Sequence, residues 1–315
     1  MKIINLQIKG TGSFLPDYIL TNAELETMVD TSDEWITDRT GIKERRICKE
    51  NTVSEMAVGA AERALYSAQI SACNIDLIIA ATITPDFFTP SLSCIVQKEI
   101  GAENAFCFDI NAACTGFVYA LDIADCYVKT GRAKNILIVA SEAISKITDY
   151  TDRNTCVLFG DGAGAVVATA GEGHGLIDSY IKAIGAMGDV LVSSTCKEDS
   201  FIKMNGKEVY KFAVSACSEA INALTSKNGI TFGDLKYIVP HQANDRIVGA
   251  VAAKLGWDKE KFFMNVEKYG NTSSASIPIC LDEMNKGGML SHGDKIILVG
   301  FGAGLTYGGV LLEWL

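Results

Sequence analysis

The chain contains two pairs of similar apolar segments, and the two members of each pair are separated by the same number of residues. Residues 76–79 (DLII) match residues 236–239 (KYIV), and residues 135–139 (NILIV) match residues 295–299 (KIILV), so both separations are 160 residues. Self-similarity over such a long period is typical of duplicated structural units. The sequence therefore predicts two similar halves that pack around a shared centre.

A glycine-rich segment follows the second strand of each pair. These segments are residues 159–164 (FGDGAG) in the first half and residues 301–304 (FGAG) in the second. Between the halves, residues 172–175 (EGHG) have the composition of a turn. We therefore expect an N-terminal half at residues 1–171 and a C-terminal half at residues 172–315.

Apolar strands alternate with amphipathic helices along the chain. Residues 75–82 and 135–141 have the continuous apolar character of buried strands, and apolar residues recur at helical spacing from Phe117 to Val128. Residues 52–55 (TVSE) form a capping box that predicts a helix reaching to about Gln69. This alternation is typical of an α/β protein.

The charge argues against a nucleic-acid partner. The chain has 28 Lys and Arg against 38 Asp and Glu, a formal net charge of −10, whereas nucleic-acid binders usually carry a basic surface. The densest basic cluster, formed by Arg39, Lys43, Arg45 and Arg46, is interpreted either as a solvated loop or as a phosphate contact.

Targeting signals and cysteine spacing indicate a reduced, cytoplasmic protein. No apolar run approaches the roughly 18 to 20 residues of a membrane span, and residues 1–10 alternate like a strand rather than an export signal. The 10 cysteines show no metal-site spacing. We expect no membrane partner, no disulfide and no metal, and we expect most cysteines, Cys107 among them, to be small core residues.

Two residues stand out as candidates for chemistry. His241 follows the apolar residues 237–240, at the carboxyl end of a predicted strand, where α/β folds collect reacting groups. Cys114 lies in residues 109–117 (DINAACTGF), which pass from a strand into a helix through small side chains. The start of a helix lowers a thiol pKa, and its backbone N–H groups can stabilise an oxyanion.

A third candidate segment is residues 269–278 (YGNTSSASIP). Under the internal repeat, it occupies the place in the second half that Cys114 holds in the first, so pseudo-symmetry would bring both to the middle of the molecule. By themselves, the three candidates have structural interpretations as well: a core cysteine, a core histidine, and a loop with a helix cap.

Together, the three segments resemble the Cys-His-Asn triad of the thiolase-fold condensing enzymes, and among them the beta-ketoacyl-[acyl-carrier-protein] synthase III family. The matching residues are Cys114 in residues 111–117 (NAACTGF), His241 in residues 240–244 (PHQAN) and Asn271 in residues 270–276 (GNTSSAS). Further matching segments are residues 33–36 (DEWI), 39–42 (RTGI), 152–155 (DRNT) and 159–164 (FGDGAG). The resemblance covers nearly the whole chain.

This resemblance implies a five-layered αβαβα fold of two duplicated halves and a homodimer. It also implies a ping-pong reaction without a cofactor. An acyl-CoA, typically acetyl-CoA, acylates the cysteine and CoA leaves. Malonyl-acyl carrier protein (malonyl-ACP) then loses CO2 and condenses with the acyl group to give a 3-oxoacyl-ACP.

The resemblance also assigns roles to individual residues. His241 and Asn271 would donate N–H groups to the enolate, and the backbone N–H groups of Cys114 and Ala303 would form an oxyanion hole. Many relatives have glycine at the position of Ala303, so the alanine would be strained if this position required a positive φ. The residues implied to bind coenzyme A are Trp35, Arg39, Arg153, Gly206 and Asn244.

Docking of the acidic ACP onto this acidic protein would require a local basic patch. Arg246 and Lys254 are the candidates, because they lie eight residues apart on roughly the same side of one helix. Asp245 lies next to Arg246 where a neutral residue is more common, so we expect weak, salt-sensitive docking.

Other functions remain open from the sequence. The same fold and triad could serve a secondary metabolite, with an unusual starter or a CoA-linked extender. A Cys-His hydrolase would release free acid, and a silent scaffold would need no cysteine. An aldol-type condensation is disfavoured because the sequence shows no clear matching acid.

Overall fold

The computed structural model describes residues 4–194 and 200–315, and its first sheet is built from the first half of the chain. Its strands are β1 (Ile4–Phe14), β4 (Leu77–Ala81), β5 (Phe106–Ile110), β6 (Asn135–Ala143) and β7 (Asp161–Glu172). They lie in the order β1-β7-β6-β4-β5. The pairs β4/β5 and β4/β6 are parallel, and β6/β7 and β1/β7 are antiparallel.

The second sheet repeats this topology with one strand fewer. Its strands are β8 (Gly175–Ala183), β11 (Leu235–Pro240), β12 (Lys295–Gly302) and β13 (Thr306–Glu313), in the order β11-β12-β13-β8. The pair β11/β12 is parallel, and the other two pairs are antiparallel. Strands β4 and β6 thus correspond to β11 and β12, as the repeat predicts. The chain passes between the sheets at residues 173–174, and the division at residue 171 stays a prediction.

Six helices complete a five-layered αβαβα arrangement, which confirms the expected fold. Two, α3 (Val53–Ala68) and α4 (Leu92–Ile100), cover the outer face of the first sheet, and α7 (Gly206–Asn228) and α8 (Asp245–Leu255) cover that of the second. Between the sheets lie α5 (Gly116–Lys129) and α10 (Ser276–Lys286), which contact strands of both. Because these two helices are enclosed by apolar sheets, they belong to the largest core cluster.

Helix α3 shows how local sequence positions an outer layer. Thr52 caps it and Glu55 completes the predicted capping box. Its inner face carries small residues such as Ala60 and Ala64, and these lie against glycines of β1. A Cβ on Gly12 would lie 2.3 Å from the Ala60 carbonyl oxygen. The small residues therefore let helix and strand approach closely.

Short elements connect these layers. One of them contains Arg45, whose position corrects the interpretation of the predicted basic cluster. Arg45 is fully buried, and its guanidinium donates to the carbonyl oxygens of Leu20 and Val157 and to Asn22 Oδ1. It is therefore neither a solvated residue nor a surface phosphate contact. The short elements are α1 (Asn22–Leu25), α2 (Asp33–Thr40), α6 (Arg153–Cys156), α9 (Val266–Tyr269), β2 (Ile19–Thr21), β3 (Glu44–Arg46), β9 (Leu191–Val192) and β10 (Lys203–Met204).

The cysteines are less uniform than expected. Of the nine in the described residues, the buried ones are Cys48, Cys156, Cys217 and Cys280, so the prediction of a mostly buried set is wrong. Cys107 is only half-buried, because β5 lies at the edge of its sheet. Cys196 lies outside the described residues. Within residues 4–194 and 200–315, no helix has the length and apolar character needed to cross a membrane.

Candidate active site

Two equivalent turns meet at the centre of the molecule. Cys114 lies in a 3₁₀ turn (Ala113–Thr115) that leads into α5, and the turn Ser273–Ala275 leads into α10. The two turns pack against each other, and each begins with a residue at positive φ, 46° for Ala113 and 51° for Ser273. The structure therefore confirms that residues 269–278 and the Cys114 segment are equivalent and adjacent.

The end of β12 packs closely against Cys114. A Cβ on Gly302 would lie 2.7 Å from the Cys114 backbone nitrogen, so only glycine fits this contact. The next residue is Ala303, whose amide is the proposed second oxyanion donor. Since Ala303 does not have a positive φ, the strain that we anticipated for an alanine at this position is absent.

The Cys114 thiol is less acidic than its place at the start of a helix suggests. Burial raises its pKa to about 12, the adjacent Ser273 hydroxyl lowers it, and the charge of Glu142 raises it again. The expected lowering of this pKa is wrong, because removal of the sulfur from water outweighs the helix dipole. The nucleophile therefore rests as a neutral thiol.

His241 is buried directly after β11 and rests in the neutral form. Burial lowers its pKa to about 3. Its Nδ1 lies 2.7 Å from Ser276 Oγ, and the same oxygen accepts the Gln242 backbone N–H at 3.4 Å. We therefore assign the Ser276 hydroxyl hydrogen to Nδ1, which places the ring proton on Nε2. This tautomer makes His241 a hydrogen-bond donor at Nε2.

Asn271 is held by its backbone and by one side-chain contact. Its backbone N–H donates to Leu158 at 2.9 Å, and its carbonyl oxygen accepts from Gly160 at 3.0 Å. Its side-chain Oδ1 accepts the Ser273 N–H at 2.9 Å. Because the oxygen is occupied by this donor, the orientation of the amide is defined and its Nδ2 points away from the Ser273 N–H.

Four of the five predicted coenzyme A residues cluster at the surface beside α2 and α8. The Arg153 guanidinium lies 4.1 Å from the centroid of the Trp35 ring, and that of Arg39 lies 6.0 Å away. Asn244 donates through Nδ2 to the Arg39 carbonyl oxygen at 3.0 Å and caps α8. The fifth residue, Gly206, begins α7 next to β10, which contacts α6.

The two predicted ACP-docking residues, Arg246 and Lys254, are exposed on α8. The neighbouring Asp245 forms a salt bridge to Lys259 at 2.6 Å. The acidic residue that weakens the predicted basic patch is therefore partly neutralised by this lysine.

Comparisons with known proteins decide the family. Residues 108–185 match the family model of 3-oxoacyl-[acyl-carrier-protein (ACP)] synthase III, and residues 225–314 match the model of its C-terminal region. A beta-ketoacyl-[acyl-carrier-protein] synthase III from Clostridium botulinum (strain 657 / Type Ba4) is 52% identical, over 98% of this chain and 99% of the relative. The chain belongs to the beta-ketoacyl-[acyl-carrier-protein] synthase III family.

Solved structures agree with this assignment. The 3-oxoacyl-[acyl-carrier-protein] synthase III from Aquifex aeolicus VF5 is 49% identical with a TM-score of 0.96, over 98% of this chain and 100% of that one. The priming beta-ketosynthase of the R1128 polyketide biosynthetic pathway is 36% identical with a TM-score of 0.94, over 98% and 96% of the two chains. This member of the synthase III family is therefore a condensing acyltransferase.

The site of this synthase III also contains an acid that no sequence motif predicts. Glu142, the penultimate residue of β6, is fully buried beside the turn Ser273–Ala275, and its charge acts on Cys114. No motif marked it, because its neighbours read as an ordinary buried strand. In the part of the chain that the structure describes, no three His, Cys, Asp or Glu residues are grouped so as to hold a metal ion.

Proposed function

We propose that this synthase III condenses an acyl-CoA, with acetyl-CoA as the preferred starter, with malonyl-ACP to give a 3-oxoacyl-ACP. This reaction would initiate type II fatty acid synthesis. The observation that carries the proposal is the meeting of the Cys114 turn and the Asn271 segment, beside a His241 whose Nδ1 is occupied by Ser276. The first half-reaction requires the nucleophile, and the second requires the two N–H donors.

In the first half-reaction, the Cys114 sulfur bonds to the acyl carbonyl carbon. The bond to the CoA sulfur breaks, and the thiol proton leaves with CoA. The developing oxyanion would accept from the backbone N–H groups of Cys114 and Ala303, which the close packing of Gly302 holds near each other. A preorganised donor of this kind lowers the barrier by about 3 to 4 kcal/mol.

In the second half-reaction, the malonyl group loses CO2 and leaves an enolate. His241 through Nε2 and Asn271 through Nδ2 would donate to the enolate oxygen. The carbanion then bonds to the acyl carbon, and Cys114 leaves as a thiolate that takes up a proton. The buried, neutral histidine is suited to donating a hydrogen bond and poorly suited to accepting a proton as a general base.

Coenzyme A would bind at the cluster of Trp35, Arg39, Arg153, Gly206 and Asn244. An indole face next to two guanidinium groups can hold a flat adenine and its phosphates. Arg153 Nε is buried without a hydrogen-bond partner in the described residues, which leaves a donor for a ligand. ACP would dock on α8 through Arg246 and Lys254.

A second copy of the chain would cover strand β5. This edge strand is exposed or half-buried along its length, whereas its neighbour β4 is fully buried. Phe106 on this strand is 40% exposed, and proteins usually cover an apolar side chain on an unpaired edge strand. We expect Phe106→Asp to convert a homodimer into a monomer in light scattering, whereas Tyr66→Asp, at an aromatic residue 87% exposed elsewhere, leaves the dimer intact.

A second candidate is a priming synthase for a secondary metabolite. The similarity to the R1128 priming beta-ketosynthase supports it, because that enzyme has the same fold at 36% identity. Competition between acetyl-CoA and longer or branched acyl-CoA starters would separate the candidates. We place the acyl pocket that selects the starter chain near Phe87, Phe88, residues 202–206 and the loop at residues 190–200, of which residues 195–199 lie outside the described residues.

The decisive experiment uses radiolabelled acetyl-CoA. We expect the label on Cys114, its transfer to acetoacetyl-ACP after a chase with malonyl-ACP, and no labelling of Cys114→Ser. Release of the label as acetate would instead indicate a hydrolase. Absence of label from acetyl-CoA and from every longer starter would contradict the proposal, and a scaffold would be indifferent to Cys114→Ser.

A further inference from the structure

Glu142 is a buried carboxylate whose hydrogen-bond partners are all neutral. Its side chain is fully buried between the end of β4 and the turn Ser273–Ala275. It accepts hydrogen bonds from both halves of the chain, yet the described residues give it no Lys, Arg or His partner. Burial raises the pKa of Glu142, and the hydrogen bonds that it accepts only partly offset this effect, so its position requires an explanation.

Three donors from the first half fix one carboxylate oxygen, Oε2. The Ile83 N–H donates at 3.0 Å, and the hydroxyls of Thr82 and Thr84 donate at 3.2 and 2.8 Å. Thr82 Oγ1 accepts the Thr84 N–H, and Thr84 Oγ1 accepts the Ala143 N–H, so both hydroxyl hydrogens are directed at Glu142. This oxygen is therefore built to remain an acceptor.

The other oxygen, Oε1, connects to the second half. It accepts from the hydroxyls of Ser273 at 3.2 Å and Ser274 at 2.7 Å. Ser273 holds a positive φ of 51°, and its backbone N–H donates to Asn271 Oδ1 at 2.9 Å. The carboxylate thus accepts a hydrogen bond from the residue whose backbone N–H orients the Asn271 amide.

We propose that Glu142 is a positioning residue for decarboxylation: it fixes Ser273 so that Asn271 presents its Nδ2 hydrogens to the malonyl thioester oxygen. This inference rests on the proposed function. Glu142 itself contacts no substrate in this role, and it acts through Ser273.

The position of the carboxylate predicts opposite effects on the two half-reactions. Its negative charge raises the pKa of the Cys114 thiol, although burial of the thiol is the larger cause. Glu142→Gln keeps the shape and removes the charge. The Ile83 N–H would keep the glutamine amide oxygen at the position of Oε2. The new NH2 group would therefore take the position of Oε1, where the hydroxyl groups of Ser273 and Ser274 could no longer donate to it. Acylation should then be unchanged or faster, while decarboxylation becomes slower.

The test compares wild type with Glu142→Gln and with Ser274→Ala. Ser274→Ala is the matched control because it removes a hydrogen bond to the same carboxylate oxygen without touching the Asn271 contact. Three rates are measured: alkylation of Cys114 by iodoacetamide, acylation by acetyl-CoA, and CO2 release from malonyl-ACP on the acylated enzyme. For Glu142→Gln we expect CO2 release at least about tenfold slower, with alkylation and acylation equal to or faster than wild type. Ser274→Ala should keep all three within about threefold.

Two outcomes would overturn the inference. One is equal slowing of acylation and CO2 release in Glu142→Gln, since general disruption would affect both. The other is unchanged CO2 release in Glu142→Gln. If Glu142→Gln does not fold, Ser273→Ala takes its place. Because the Ser273 hydroxyl also lies next to the Cys114 thiol, this variant must slow CO2 release by a larger factor than acylation, and more than Ser274→Ala does. A wild-type protein that fails to acylate or condense would instead refute the proposed function.

Discussion

Gly302→Ala tests whether close packing of β12 against the nucleophile sets the catalytic geometry. Its Cβ would lie 2.7 Å from the Cys114 nitrogen and 3.2 Å from both the nitrogen and Oγ1 of Thr115. Two of these three atoms are backbone atoms of the turn, so rotation of a side chain cannot relieve the contact. The φ of Gly302 is not positive, and alanine therefore meets no conformational penalty here.

The magnitude follows from the distances. Ordinary contacts of a Cβ begin at about 3.4 Å, so the strand or the turn must move by about 0.7 Å. A displacement of about 1 Å at reacting atoms can lower a rate by about 100-fold. We expect the rate of Cys114 acylation to fall by roughly 10- to 100-fold. Overpacking should lower the free energy of unfolding by about 1 to 3 kcal/mol.

Gly300→Ala is the matched control on the same strand. Its Cβ would lie 3.6 Å from Thr115 Cγ2 and 3.7 Å from the Cys114 carbonyl oxygen, which are ordinary contacts. Acylation by acetyl-CoA is followed by intact mass spectrometry after rapid quenching, and stability is followed by thermal unfolding. Gly300→Ala should acylate within about threefold of wild type. A folded Gly302→Ala variant that acylates at the wild-type rate would refute the reasoning.

Three further predictions concern the donors, the docking surface and pH. Ser276→Ala removes the hydroxyl that holds His241, so we expect CO2 release to be about tenfold slower and acylation to be unchanged. Equal slowing of both rates would contradict the assigned tautomer. Because ACP is acidic, Arg246→Glu should raise the KM for malonyl-ACP several-fold in low salt without affecting acylation. The control is Lys236→Glu, at the opposite end of β11 from His241. An unchanged KM in Arg246→Glu would exclude this docking face. Burial lowers the pKa of His241 to about 3. Between pH 6.5 and 3, the unfolded chain therefore binds a proton at this residue that the folded chain does not bind. The free energy of unfolding consequently falls as the pH falls through this range. In urea titrations, the loss by pH 5 should be about 2 kcal/mol larger for wild type than for His241→Asn, and parallel curves would show that His241 titrates normally.

Much of the architecture could be predicted because it follows from local patterns. The separation of 160 residues predicts matching sheets, and α5 and α10 begin at residues 116 and 276, which differ by the same number. The capping box at Thr52 predicts the start of α3. The duplication also predicts that the Cys114 and Asn271 segments meet at the centre, because they occupy equivalent places in the two halves.

Predictions about burial were less successful, because the sequence near a residue does not state which distant elements cover it. Arg45 is charged and lies among charged neighbours, yet it is buried by loops whose residues are up to 112 positions away. Cys107 has the apolar neighbours of a core strand, but its strand lies at a sheet edge.

The sequence by itself determined the duplication, the α/β alternation and the three segments that carry Cys114, His241 and Asn271. Only the tertiary structure decided the charge states of the site and the place of Glu142. Cys114 and His241 rest uncharged because both halves of the protein remove water from them. Glu142 meets Ser273 across 131 residues, a contact that exists only once the two halves have packed together.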